Sequence, residues 1–223
     1  MAKKPKGRIH IIPTVFSSDI RSFKSRLKRI EEASREIQID IMDGKFVKVK
    51  SVGLEKIPDL RKKRARFEAH LMVKDPTSLV SALKKKGFDR AIAHIEALKG
   101  KKAVDSYLEE CTKNRIETGL ALKPETPLSK VKPYLRRLDV LLFLGVRPGK
   151  EGQHLIPSVV KKIGAYTKSG YKTPAQIDGG VSPKTAALLA SIGVRRFNTG
   201  AYTAKARSVK KAIRRLEESI KKQ

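Results

Sequence analysis

Val140-Leu141-Leu142-Phe143-Leu144-Gly145-Val146 is the longest apolar run in the chain, and its reading decides the fold. A membrane span needs about 20 consecutive apolar residues, so this run is far too short to cross a bilayer. It lacks alternation of apolar and polar positions, as expected of a strand buried on both faces of a parallel sheet. Outward from it, short apolar and β-branched runs recur at residues 9–14, 37–42, 67–73, 90–95, 118–122, 173–177 and 194–198. Between them, apolar residues fall at helical spacing over 20–33, 77–86, 102–113, 156–168, 183–191 and 205–221. Asp75-Pro76 and Lys86-Gly87 flank one such helix and Gly193 closes another, as turn chemistry requires. Eight strands, each followed by a helical or helix-length segment within 223 residues, predict an α/β fold, the (β/α)8 TIM barrel. The alternative is an open doubly wound sheet, but no G-x-G-x-x-G follows the first strand to support its dinucleotide-binding form. No linker or composition shift divides the chain, so residues 1–223 read as a single domain behind a short basic leader at 1–8.

Composition bounds the function. The chain is 39% hydrophobic, enough to bury a sizeable core and too apolar for a disordered segment. One cysteine, Cys111, cannot form an intrachain disulfide. The start Met1-Ala2-Lys3-Lys4 is basic, but the apolar stretch behind it is interrupted by His10 and ended by Pro13, so a signal peptide is not expected and the cytoplasm is the default location. With 51 Lys+Arg against 22 Asp+Glu, the formal charge is +29, which favours an anionic partner. The basic residues are spread over many predicted helices, aromatics are only 5%, and no RNA-binding aromatic signature is present, so nucleic acid is not the expected partner.

In such a barrel the chemistry lies where strands run out into the following loops. The first strand ends at Thr14, the second carries Gln38, Asp40 and Met42, and the third carries His70 and Met72. The fourth ends in His94 and Glu96, the seventh in Asp178-Gly179-Gly180, and the eighth in Asn198-Thr199-Gly200. Side chains two apart share a face, so Asp40, Asp178, His70 and Gln38 gather at one mouth if that face points inward. Singly, each has a plain structural reading as a cap or a hydrogen-bonded strand residue, and Asp19 and Asp43 are assigned to capping or turns. Together, an Asp/Asp/His set can hold a divalent metal, and paired carboxylates can serve as acid and base beside an enediolate. Two glycine turns, Gly179-Gly180 before the helix opened by Ser182-Pro183 and Gly200-Ala201, offer backbone N–H groups to a phosphate.

These residues resemble a known family. Residues 12–19 (IPTVFSSD), 40–47 (DIMDGKFV), 70–73 (HLMV), 94–97 (HIEA), 121–128 (ALKPETPL) and 178–181 (DGGV) are similar, in order, to motifs of ribulose-phosphate 3-epimerase. The resemblance implies an isomerase of the pentose phosphate pathway, a sugar-phosphate 3-epimerase. Such an enzyme interconverts D-ribulose 5-phosphate and D-xylulose 5-phosphate by metal-assisted proton abstraction and return at C3. It implies Asp40 and Asp178 as catalytic residues, and Asp40, His70 and Asp178 as ligands of a divalent Zn, Mn, Fe or Mg ion, to which the side-chain carbonyl of Gln38 could add a weaker ligand. Thr14, Met42, His70, Met72, Gly149, Gly152, Gly179, Gly180, Gly200 and Ala201 would bind substrate. The implied partners are a phosphorylated ketose and further copies of the chain in a homo-oligomer, with no membrane. Four departures stand out. Gln38 takes the place of a second metal-binding His, and Leu144 that of a third methionine. The sixth loop reads Arg147-Pro148-Gly149-Lys150-Glu151-Gly152-Gln153, where Arg147 and Lys150 could meet a phosphate, and Ala201 replaces a Ser. They motivate two alternatives: an epimerase or isomerase of another ketose phosphate, and a catalytically impaired barrel that binds an anionic ligand or nucleic acid.

Overall fold

Every residue of β6 (Val140–Leu144) is buried, as a strand covered on both faces must be. In this computed structural model, which describes residues 7–149 and 152–222, β6 pairs with β5 (Glu117–Leu122) on one side and β7 (Ala175–Asp178) on the other. The pairing continues through β1 (His10–Val15), β2 (Glu36–Met42), β3 (Arg66–Met72), β4 (Arg90–His94) and β8 (Arg196–Thr199), every strand parallel to its neighbours. β8 returns to β1, closing an eight-stranded barrel in chain order, the (β/α)8 architecture. Of the expected basic leader, residues 1–6 lie outside the described residues, as do Lys150 and Glu151 of the sixth loop.

Helices α1 (Ile20–Glu31), α2 (Val80–Lys86), α3 (Gly100–Lys113), α4 (Pro157–Lys168), α5 (Pro183–Ser191), α6 (Ala201–Ala204) and α7 (Val209–Lys221) surround the sheet. Asp19 caps α1, its carboxylate accepting from Ser22 N at 2.7 Å, and Asp43 accepts from the backbone N–H groups of Lys45, Phe46 and Lys74. The segments after β2 and β5 are of helix length but carry no α-helix. After β2 there is a single 3-10 turn, Leu54–Lys56, and after β5 two of them, Leu128–Lys130 and Lys132–Arg137. Pro58 just after the first turn, and Pro133 near the start of the last, would each fall inside a longer α-helix, where proline lacks the donor that the helix needs. The helix expected at 205–221 also breaks, because Ser208 caps α7 and residues 205–208 form the connection.

Apolar residues such as Phe23, Leu27 and Ile30 of α1 pack against the outside of the sheet in one large core. Inside the barrel the wall is divided. Ile92, Ala121, Val140 and Leu142 form a separate apolar cluster. Gln38, Glu68, Gln176 and Asn198 are buried polar residues joined to one another by hydrogen bonds. Glu68 is the hub: its Oε1 accepts from Gln176 Nε2 at 2.5 Å and Asn198 Nδ2 at 2.8 Å, and its Oε2 pairs with Arg90 at 2.8 Å. A carboxylate buried this deeply survives only with such partners. This polar half is the floor on which the site stands. Among the described residues no helix is long and apolar enough to cross a membrane.

Candidate active site

Strand register assembles the site. Asp40 sits opposite His70, Gln38 opposite Glu68 and Met42 opposite Met72. Thr14 lies opposite Gln38, and Asp178 opposite Asn198. The period of two then brings Asp40, His70 and Asp178 to one end of the lumen, with potential ligand atoms all within 4.8 Å of one another.

The His70 ring is fully buried, and its Nδ1 lies 3.1 Å from Asp178 Oδ2 and 3.3 Å from Asp40 Oδ1. Neither oxygen stands where a hydrogen bond from the ring would point, so this buried nitrogen has no hydrogen-bond partner. That orphan has a simple geometric meaning. Ligands ~2.1 Å from a common ion and separated by octahedral or tetrahedral angles stand roughly 3.0–3.4 Å apart. The spacing and the aim of the lone pair therefore fit a divalent metal among Asp40, His70 and Asp178. With no ion there, burial opposes a charged His70 ring, but the two carboxylates outweigh it and push its pKa up to about 10.

A relay behind His70 sets its tautomer. His70 Nε2 lies 3.0 Å from His94 Nε2, and His94 Nδ1 lies 3.1 Å from Glu96 Oε2. The Glu96 carboxylate accepts a hydrogen bond from His94 Nδ1–H, which leaves His94 Nε2 to accept from His70 Nε2–H and frees His70 Nδ1 for the site. Burial and the neighbouring His70 push His94 down to about 4, against the pull of Glu96. Burial opposes the Glu96 charge, but His94, Thr126 and the Lys123 N–H overcome it and hold the carboxyl near 2. The His94 ring is wedged between Phe46 and His70, with centroids 5.0 Å and 5.1 Å away.

Gln38 is fully buried beneath the pair of aspartates. Its Nε2 donates to Asp178 Oδ2 at 2.7 Å and Asp40 Oδ1 at 3.0 Å, with Thr14 Oγ1 at 3.3 Å, while its Oε1 accepts from Asn198 Nδ2 at 2.6 Å. The carbonyl read from sequence as a metal ligand thus points away from the cluster, because Asn198 holds it there.

Above this floor opens a cavity of about 330 Å³, lined by Thr14, Asp40, Met42, His70, Met72, Gly149, Gly152, Asp178, Gly179, Gly180, Gly200 and Ala201. Gln38 is not in its wall. At the far side the backbone turns through φ +91° and +71° at Gly179 and Gly180. A Cβ on Gly179 would stand 2.5 Å from Val146, and one on Gly180 only 2.7 Å from Leu155 backbone, so only glycine fits. Ser182 then caps α5 with a reciprocal Thr185 contact. Phe16, His154, Leu155, Tyr202 and Lys205 also line the cavity, and sequence reading named none of them as site residues. Lys205 stood in the sequence only at the start of the helix expected at 205–221. It lies close to Gly152 and to the Gly200 turn, which the sequence places only five residues earlier. Arg147 reaches the rim and pairs with Glu125 at 3.5 Å. Lys150 is outside the described residues.

Comparison with known proteins adds to this geometry. The sequence model of the "Ribulose-phosphate 3 epimerase family" matches residues 10–203. A ribulose-phosphate 3-epimerase of Chlamydia pneumoniae is 29% identical over 215 residues, covering 92% of each chain. The cytoplasmic isoform of Oryza sativa is 28% identical, covering 94% of this chain and 93% of the relative. Among solved structures, 3-hexulose-6-phosphate synthase from Salmonella typhimurium superposes with a TM-score of 0.73 at 12% identity, covering 96% of this chain and 99% of that one, a likeness of fold alone.

Proposed function

This chain belongs to the ribulose-phosphate 3-epimerase family, and from that premise we propose how its own residues carry out the reaction. The enzyme is an isomerase that interconverts D-ribulose 5-phosphate and D-xylulose 5-phosphate. These sugars differ only in configuration at C3, beside the C2 carbonyl. Epimerisation therefore needs a base on one face of C3 and an acid on the other.

Asp40 and Asp178 fill these two roles. The observation that carries the assignment is their convergence on His70 Nδ1 at the cavity floor, from two strands on different parts of the barrel wall. One carboxylate takes the C3 proton, the other returns a proton to the opposite face, and the roles exchange with direction. Asp40, His70 and Asp178 would hold a divalent metal, which would supply Lewis-acid stabilisation of the negative charge that develops beside the reacting carbon. Carboxylate oxygen and imidazole nitrogen suit Zn, Mn, Fe or Mg. Met42 and Met72 give the cavity a soft apolar wall that keeps water from the carbanionic carbon.

The phosphate sits at the other end. Backbone N–H groups of Gly179 and Gly180, the N-terminus of α5 and the Gly200-Ala201 turn form its cradle, and Lys205 adds a full positive charge where Ala201 supplies no hydroxyl. The cytoplasm is the proposed location, in keeping with the rice relative's name. The test is formation of xylulose 5-phosphate from ribulose 5-phosphate by the purified full chain, with Asp40→Asn and Asp178→Asn beside it. Each substitution should cut kcat by about 10³-fold or more while the circular dichroism is unchanged. Turnover that survives either change would remove that aspartate from the chemistry.

A further inference from the structure

We propose that Gln38 is a positioning clamp on the two aspartates rather than a metal ligand, leaving a three-ligand set of Asp40, His70 and Asp178. The proposal rests on the metal-assisted reading above.

Its first support is position. Gln38 Nε2 and His70 Nδ1 both face the same two oxygens, Asp40 Oδ1 and Asp178 Oδ2, the amide at 3.0 Å and 2.7 Å and the ring at 3.3 Å and 3.1 Å. The amide nitrogen thus occupies the fourth corner of the ligand polygon. It brings two N–H donors there, and no lone pair that a metal could use.

Its second support is what fixes the amide. To ligate, Gln38 must turn its Oε1 into the cluster and its Nε2 toward Asn198 Nδ2, setting donor against donor. Asn198 cannot simply turn in response, because the same Nδ2 also donates to Glu68 Oε1 at 2.8 Å. Glu68 in turn is held by Gln176 at 2.5 Å and by Arg90 at 2.8 Å. The orientation is therefore set from the charged floor of the barrel upward, through Glu68, Asn198 and Gln38 to both aspartates. Two further outcomes follow. The carboxylates are held in place before any ion or substrate arrives, and each spends one lone pair on the amide, so the ion is held more loosely than by four protein ligands.

Co²⁺ titration of the metal-free full chain tests this, read by calorimetry and by the visible absorption of the bound ion, with Gln38→Leu, Gln38→Met and Gln38→His alongside. Leu and Met remove both amide atoms at similar volume, and Met is the unbranched choice should Leu perturb the fold. If the amide is a clamp, Gln38→Leu and Gln38→Met weaken Co²⁺ binding by about 10–100-fold, because the carboxylates lose their positioning donor, while the spectrum of the bound ion stays unchanged because its ligands do. Gln38→His should bind about tenfold tighter or more and alter the spectrum, because a nitrogen ligand has been added. A spectral change in both Leu and Met variants would make the Gln38 carbonyl a ligand and overturn the proposal, and unchanged affinity in both would overturn it too, since the amide would then position nothing. So would a parent chain that binds no Co²⁺ while Gln38→His does, since three ligands would then not suffice. Neither readout depends on sugar turnover, so failure of the epimerase reading would register separately, in the product assay.

Discussion

His70 shows how much one side chain depends on residues behind it. Its site nitrogen is free because His94 and Glu96 hold the other nitrogen as a donor. His94→Leu should therefore weaken metal affinity by about 10–100-fold, measured by calorimetry, with the helical signal retained. A change under about twofold would leave the relay without a role in ligation. The raised pKa has a sign that can be checked. In the metal-free protein the charged ring contributes stability that is complete below its ordinary value near 6.5 and is lost as pH rises through about 10. A metal must displace the same proton, so apparent metal affinity should rise with pH from about 7 to 9, with proton release seen in buffers of different ionisation enthalpy. Affinity independent of pH over that range would mean His70 is already neutral. At this scale the aspartates and His70 could be read from strand-end position alone. The role of Gln38 could not, because its orientation depends on Asn198 and Glu68, 160 and 30 residues distant in sequence respectively.

At the level of elements, the loop after β7 carries the tightest steric demand. Gly180 has φ +71°, and a Cβ there would meet Leu155 backbone at 2.7 Å. Gly180→Ala should cost about 1–3 kcal/mol of stability in denaturant titration and raise KM for the sugar phosphate more than it lowers kcat. An unchanged KM would move the phosphate away from this turn. Strand positions were legible to within a residue or two, since runs such as 140–146 are apolar throughout and β-rich. The connections after β2 and β5 could be read only as helix-length segments, because the 3-10 turns that fill them have no periodicity to read.

For the whole molecule, the +29 charge is shared about equally between the outer helices and the connecting segments; α7 alone presents Lys210, Lys211, Arg214 and Arg215 beside only two glutamates. The cavity floor is acidic, and its opposite end, proposed here to take the phosphate, is lined by Gly179, Gly180, Gly200 and Lys205. A positive field around such a mouth draws in a dianionic sugar phosphate, and mobile ions screen it over about 10 Å at 0.1 M salt. Raising ionic strength from about 0.02 to 0.5 M should lower kcat/KM several-fold with kcat nearly constant. A flat response would make the charge irrelevant to capture. Sequence could supply the sign of the partner but not where the charge sits, because that depends on which helix faces close on one another.

The most direct test follows the proton itself. Ribulose 5-phosphate incubated with the purified protein and a divalent ion in D₂O should gain deuterium at C3 and yield the second epimer, as followed by NMR. Asp178→Asn should show neither change. Epimer formed without deuterium at C3, or no exchange with Zn²⁺, Mn²⁺, Fe²⁺ or Mg²⁺, would contradict proton transfer by the paired aspartates.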